Sequence, residues 1–334
     1  MFSTIGDRSQ MFRSMQDGHR LKSNLNQLSH ELSTGKAEDL ASHLSGRTYQ
    51  VMAIDQDIRR IESHIDLNTG LSLMLDGQQQ ALSSVTDRLE ESAARLVGLH
   101  SDSNDAQFKA GGLAAQNAFE DIVGRLNGSS AGRKLFGGTA VDRSPLASAD
   151  TILSALETVI AGQNDPVVIE SMIEDWFADD VNGFGLIAYD GAIGPSASAR
   201  IGRSSQTIDA ARADDMAIRD ALASVAIAAL ADRPALGLSR ASKAELMRRS
   251  GERAFGAASG VNAVAARIGE SQALIETQNV RLMAERTTLS QSRNDRTLVD
   301  PFETATRLQD AQRSLEIHYA ATAKLSRLSL ANFL

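Results

Sequence analysis

The sequence predicts a mainly α protein: an antiparallel long-helix coiled-coil rod formed by the N- and C-terminal segments, with a small α+β middle domain at the tip. Three observations carry this expectation. Aromatic residues are scarce, one Trp, three Tyr and ten Phe in 334 residues, a composition that suits long helices better than a compact globule. Apolar residues recur at three- and four-residue spacing towards both ends. Between them lies a stretch punctuated by glycine and proline.

Leu21, Leu25, Leu28 and Leu32 are spaced four, three and four apart and share one helical stripe that stops at Gly35. A short amphipathic helix is expected there. After a polar connection the stripe resumes at Val51, Ile54, Ile58, Ile61 and Ile65, with Asp55, Asp57, Arg59, Arg60 and Glu62 on the other faces. These are seam positions of a coiled coil. The register slips between Asn68 and Leu75 and returns at Leu82, Val85, Leu89, Leu96 and Leu99. A slip of this kind changes supercoil pitch without ending a helix, so one helix is expected from about Leu44 to Leu99. A further helix is expected from Asp105 to Leu126, with Phe108, Leu113, Phe119, Ile122, Val123 and Leu126 as its apolar side.

From Asn127 the character changes. Gly128 to Gly132 and Gly137-Gly138 follow, and four of the five prolines lie between Pro145 and Pro234. Helices are expected at Thr151 to Ile160 and Asp214 to Leu230, and short strands at Leu186 to Tyr189 and Ala197 to Ile201. The expected boundaries are 1–127, 128–240 and 241–334. After Ala241 the stripe returns as Val261, Ile268, Ile275, Leu282 and Leu289, while the alternate seam positions Val264, Ser271, Gln278, Glu285 and Ser292 are partly polar. Such a weak seam needs a partner to cover it. A break is expected at Asn294 to Val299. Asp300-Pro301-Phe302-Glu303 then has the residue types of a helix start: an N-cap, a proline at the first helical position and a glutamate able to complete a capping box.

Net charge is −8, with 34 basic residues interspersed among 42 acidic ones, which argues against a nucleic-acid partner. Cysteine is absent, excluding disulfides, thiolate chemistry and thiolate-bound zinc. The first residues carry no basic region leading into an apolar run, and no segment approaches about 18 apolar residues. Neither a cleaved signal peptide nor membrane insertion is expected. Gly128-Ser129-Ser130-Ala131-Gly132 formally satisfies the nucleophile-elbow pattern, but a helix precedes the serine where a strand is required. The six histidines never fall four residues apart, and Asp179, Asp180, Asn182 and Gly183 form only an incomplete calcium loop, with Tyr189 at its twelfth position. Trp176-Phe177 is expected to anchor the middle-domain core. No catalytic, cofactor-binding or metal-binding residue is expected.

Leu28-Ser29-His30-Glu31-Leu32-Ser33-Thr34-Gly35-Lys36 resembles the N-terminal signature of the flagellin family, an apolar helix ending in Leu-Ser-(Ser/Thr)-Gly-Lys. The likeness spans roughly residues 1–140 and 185–334. Leu135-Phe136-Gly137-Gly138-Thr139 through Pro145, Asp300-Pro301 followed by Leu308-Gln309-Asp310-Ala311-Gln312, and the ending Leu328 to Leu334 resemble the hook-associated members of that family. Filament flagellins usually end in a Gln- and Ala-rich helix. The stretch Ala37 to Leu44 departs from the Arg/Asn-rich segment that the family commonly has there.

The resemblance implies a non-enzymatic structural subunit of the bacterial flagellum. Such a subunit is exported unfolded by the type III apparatus without a cleaved signal peptide, and assembles outside the cell through its terminal helices. Its implied partners are copies of itself, a neighbouring hook-associated protein and flagellin, and an export chaperone on the C-terminal helix. Leu21, Leu25, Leu28, Leu32, Leu315, Tyr319, Leu325 and Leu328 are the candidate subunit contacts. The heptad stripes are equally compatible with packing inside one chain. Filament flagellin proper and a cytoplasmic coiled-coil adaptor are the alternative readings.

Overall fold

The structure, a computed structural model, describes residues 5–193, 208 and 210–331. The expected strand Ala197 to Ile201, the last three residues and the side chain of Leu328 lie outside what is described. The chain is mainly α. Its helices are α1 (Ile5–Thr34), α2 (Leu40–His43), α3 (Tyr49–Val97), α4 (Asp105–Leu126), α5 (Ala149–Val159), α6 (Pro166–Ala178), α7 (Met216–Ala231), α8 (Arg240–Thr297) and α9 (Pro301–Ala331), and two two-residue strands, β1 (Ser129–Ser130) and β2 (Arg133–Lys134), form a hairpin. The chain divides into two compact units, one of residues 63–282 and one of residues 1–62 with 283–334.

The 63–282 unit holds the large core. Every residue of α7 from Ala221 to Ala231 is buried, and the small alanine side chains let α4 and α6 pack closely on it. α4 keeps the expected limits and starts on a capping box: the Asn104 side chain accepts from the Gln107 amide while the Gln107 side chain accepts from the Asn104 amide. Around α7, Trp176, Phe177 and Phe184 are buried, with Trp176 edge-on to Phe177 at 5.1 Å between ring centroids and Phe184 stacked on Tyr189 at 6.3 Å. Arg219 lies over the Phe184 ring, 4.9 Å from its centroid. It donates to the Asp214 and Phe177 carbonyls and pairs with Asp180 at 2.5 Å. A cation so far from water is tolerated because its donors are occupied.

Leu186 to Tyr189, expected as a strand, instead closes a π-helical turn over Phe184–Ala188. Only Tyr189 keeps a strand-like link, an isolated bridge to Leu146. The period-two reading fails because burial of Phe184 and Ala188 follows a four-residue spacing. The Gly128 to Gly132 stretch forms the hairpin turn. Ala131 and Gly132 both have positive φ, 49° and 77°, as a type I′ turn demands at its two central positions.

Along this unit α8 runs antiparallel to α3. Asn68 Nδ2 donates to Asn279 Oδ1 at 2.8 Å, Gln272 to Asp76 at 2.6 Å, and Thr86 to Asn262 at 3.1 Å. The register slip near Asn68 is thus a part-buried amide pair, with Asn68 itself buried, in an unbroken helix. Val261, Val264, Ile268, Ser271 and Ile275 are buried at the seven-residue repeat.

In the other unit, α1 ends in an αL cap. Gly35, at φ 70°, donates its amide to the Glu31 carbonyl at 2.8 Å. The described helix reaches back to Ile5, well before the leucine stripe. The break on the C-terminal side is shorter than expected: the Leu298 amide still bonds to the Asn294 carbonyl, so α8 runs to Thr297 and only Leu298 to Asp300 separate it from α9. Asp300 caps α9, with Oδ1 accepting from the Phe302 and Glu303 amides at 2.8 and 3.2 Å. The Glu303 carboxylate pairs with Arg307 at 2.6 Å.

Candidate assembly surface

α1 packs along α9 in antiparallel register. Ser14 Oγ meets Thr322 Oγ1 at 3.3 Å, and Gly18 lies against His318, four residues on in one helix for four residues back in the other. Extending this register sets Leu21 opposite Leu315, Leu25 opposite Ala311, and Leu28 opposite Leu308. The breaks at the end of this helix pair are stitched together: Ala37 donates to the Thr297 carbonyl and Val299 to the Gly35 carbonyl, both at 3.0 Å, around a Lys36–Leu298 bridge. Past them the start of α3 pairs with the end of α8, Gln50 with Arg296 at 2.7 Å, Asp55 with Arg293 at 3.4 Å and Glu62 with Arg286 at 3.5 Å.

The two breaks differ in length. Fourteen residues separate α1 from α3, but three separate α8 from α9. The pairing absorbs the excess of eleven locally, because Ala37 and Gln50 bond to the adjacent residues Thr297 and Arg296. Glu38 to Thr48 is therefore a closed excursion whose two ends meet. It carries α2, capped by Asp39 on the Ser42 amide at 3.0 Å. This is the stretch in which the sequence departs from the flagellin pattern.

Of the eight expected contact residues, four lie on the α1/α9 seam: Leu28 is buried, and Leu21, Leu25 and Leu315 are half-buried. Three are surface residues, Leu32 at 37%, Tyr319 at 57% and Leu325 at 51% exposure. Leu328 is the one outside description. The leucine spacing did not point to Phe12, Met15, Phe302 and Ile317, which are 57% to 84% exposed on the same two helices. They fall out of phase with the heptad seam, and that mismatch is the signal that could have found them.

Burial along these helices is thin. Among the described side chains of α1 only Leu28 and Glu31 are buried, and of α9 only Thr304 and Ala311. A groove of about 580 Å³ runs between α1, the α2 excursion and α9. Resolved shifts in acidity all fall in the 63–282 unit. Burial raises the carboxyls of Glu174 and Asp215, and it pushes the Tyr189 phenol up to about 12, with the negative charge of Asp214 adding to the effect. Backbone amides of Asn182 and Val181 hold the Asp179 carboxyl below its ordinary range. The expected calcium-like residues are thus engaged in a turn and, at Asp180, in the Arg219 ion pair. Among the described residues no group of three His, Asp or Glu side chains is placed to hold a metal ion, and no helix is long and apolar enough to cross a membrane. No protein-family model matches the chain, and no curated protein is significantly similar to it.

Proposed function

We propose that the chain is a structural, non-enzymatic subunit of the bacterial flagellum, a flagellin-family protein of the hook-associated protein 3 type that joins hook to filament. In this reading the paired terminal segments make an antiparallel long-helix rod and assemble helically, outside the cell after type III export, with copies of the chain, a neighbouring hook-associated protein and flagellin. An export chaperone grips the C-terminal helix beforehand.

The observation that carries the reading is the poverty of the α1/α9 pair. Two helices of 30 and 31 residues bury four described side chains between them. Isolated helices draw most of their stability from packing of an apolar face, so this pair is built to be completed by neighbours. The Leu28 to Lys36 and Asp300 to Leu334 motifs name the kind of neighbour. A contact that rotates and translates without closing yields an open helical assembly.

The test is deletion of the gene in its own flagellated host, with electron microscopy of the cells. Bare hooks and loss of attached filaments are expected, and normal filaments on the deletion strain overturn the reading. Long filaments formed by the purified protein alone would instead identify it as filament flagellin.

A further inference from the structure

The α1/α9 hairpin carries unlike charge at its two ends. Towards the chain termini, residues 8–22 hold Arg8, Arg13, Arg20 and Lys22 against Asp17 alone, and α9 beyond Glu316 holds Lys324 and Arg327 with no acid. Phe12 and Met15, 70% and 57% exposed, lie on the same stretch of α1, in which Arg20 pairs with Asp17 at 3.3 Å. Towards the breaks, the 580 Å³ groove has Leu28 and Ala311, both buried, in its apolar floor and Asp39, Glu303 and Asp310 on its rim. Its one arginine, Arg307, is already paired with Glu303.

Glu31 decides what the groove should receive. It lines the groove at 8% exposure, and its Oε1 accepts from two neutral donors, the Gln27 amide side chain at 3.1 Å and the Glu38 backbone amide at 3.0 Å. Among the described residues no cation pairs with it. A carboxylate removed from water without a counter-charge is costly, and an incoming cation would relieve that cost.

We propose that this groove receives the basic N-terminal stretch of α1, Phe12 to Lys22, from a second copy of the chain. Phe12 and Met15 meet the apolar floor, and a cation of the Arg13 to Lys22 stretch faces Glu31. Like ends repel and unlike ends attract, so the contact is head-to-tail and uses different surfaces on the two copies. The proposal rests on the reading of the chain as a self-assembling subunit and names the surfaces involved.

Sedimentation velocity of the full chain tests it, at about 0.1 M and about 1 M salt, where the screening length falls from about 10 to about 3 Å. Concentration-dependent association at low salt that is lost at high salt is expected. Arg13→Glu/Arg20→Glu/Lys22→Glu and Glu303→Lys/Asp310→Lys should each abolish self-association. Mixed together, the two variants should associate again, because the acidic groove of one meets the basic stretch of the other and the two reversed surfaces complement each other. Glu31→Gln, which keeps the side-chain shape, should weaken association about tenfold. Circular dichroism checks that each variant keeps wild-type helicity, and the mixing result stands as recovery of binding by partners that each fail alone. Association indifferent to salt and to both charge reversals, failure of the mixture to bind, or a monomer under every condition overturns the docking. Bare hooks on the deletion strain need no purified protein, so they judge the flagellar reading separately.

Discussion

Gln78 shows how a single polar side chain can organise the larger core. It is fully buried on α3; its Nε2 donates to the Leu135 and Ala211 carbonyls at 2.6 and 2.8 Å, and its Oε1 accepts from the Ala211 amide at 3.2 Å. One side chain thus satisfies three backbone groups from two distant loops. Gln78→Ala strands all three, and we expect a loss of about 3 kcal/mol, seen as a lower urea midpoint. Glu174 works in the other direction. Burial raises its pKa, and the charges of Glu170, Asp175 and Asp220 add to this, against the opposing pull of Arg253. Its proton is held more tightly in the folded chain, so its contribution to stability is neutral below the unfolded pKa and becomes a penalty as pH rises through the folded one. Glu174→Gln should therefore melt higher than wild type at pH 7, with the advantage fading as pH falls through the raised pKa and gone below the ordinary carboxylate range. Tyr189→Phe should remove the component of an ultraviolet phenolate titration that ionises near pH 12.

At the scale of elements, the Glu38 to Thr48 excursion sets up a sharp expectation. Its ends already meet at Thr297 and Arg296, so removing those residues leaves Gly35-Lys36-Ala37 opposite Leu298-Val299-Asp300. Three residues then oppose three. The α1/α9 register should survive, and a disulfide between Ser14→Cys and Thr322→Cys, in a chain with no cysteine of its own, should form with or without the deletion. Loss of the cross-link would mean that the loop sets the register. Much at this scale was legible in the sequence. The limits of α4, the Asp300 cap and the heptad from Val261 to Leu282 follow from apolar spacing and turn chemistry, which are local signals. The π-helical turn at Phe184–Ala188 was not legible, since its shape comes from packing against α5 and α6. Nor did the apolar pattern reveal the groove: Glu31 and Asp310 acquire their meaning only when α1 and α9 are brought side by side.

At the scale of the whole molecule, the two units differ in what holds them. The 63–282 unit contains Phe108, Phe119, Phe136, Phe177 and Phe184, all fully buried, whereas among the described residues of the other unit the buried apolar ones are Leu28, Val51, Ile58, Ile61 and Ala311, at 4% to 7% exposure. Apolar burial is the main favourable term in folding, so local stability should follow this difference. Helices α3 and α8 have residues in both units without interruption, which makes each its own internal control. In hydrogen exchange of the full chain, amides of α4 and α7 should be the slowest, protection should decline along α3 towards Tyr49 and along α8 towards Thr297, and α1 and α9 should exchange through frequent local opening. Association should slow α1 and α9 selectively, because covering their surface supplies the burial they lack. Protection of α1 and α9 equal to that of α7 in the monomer would show that the terminal pair holds itself together, and that its thin burial is a solvated face and not an interface awaiting a neighbour.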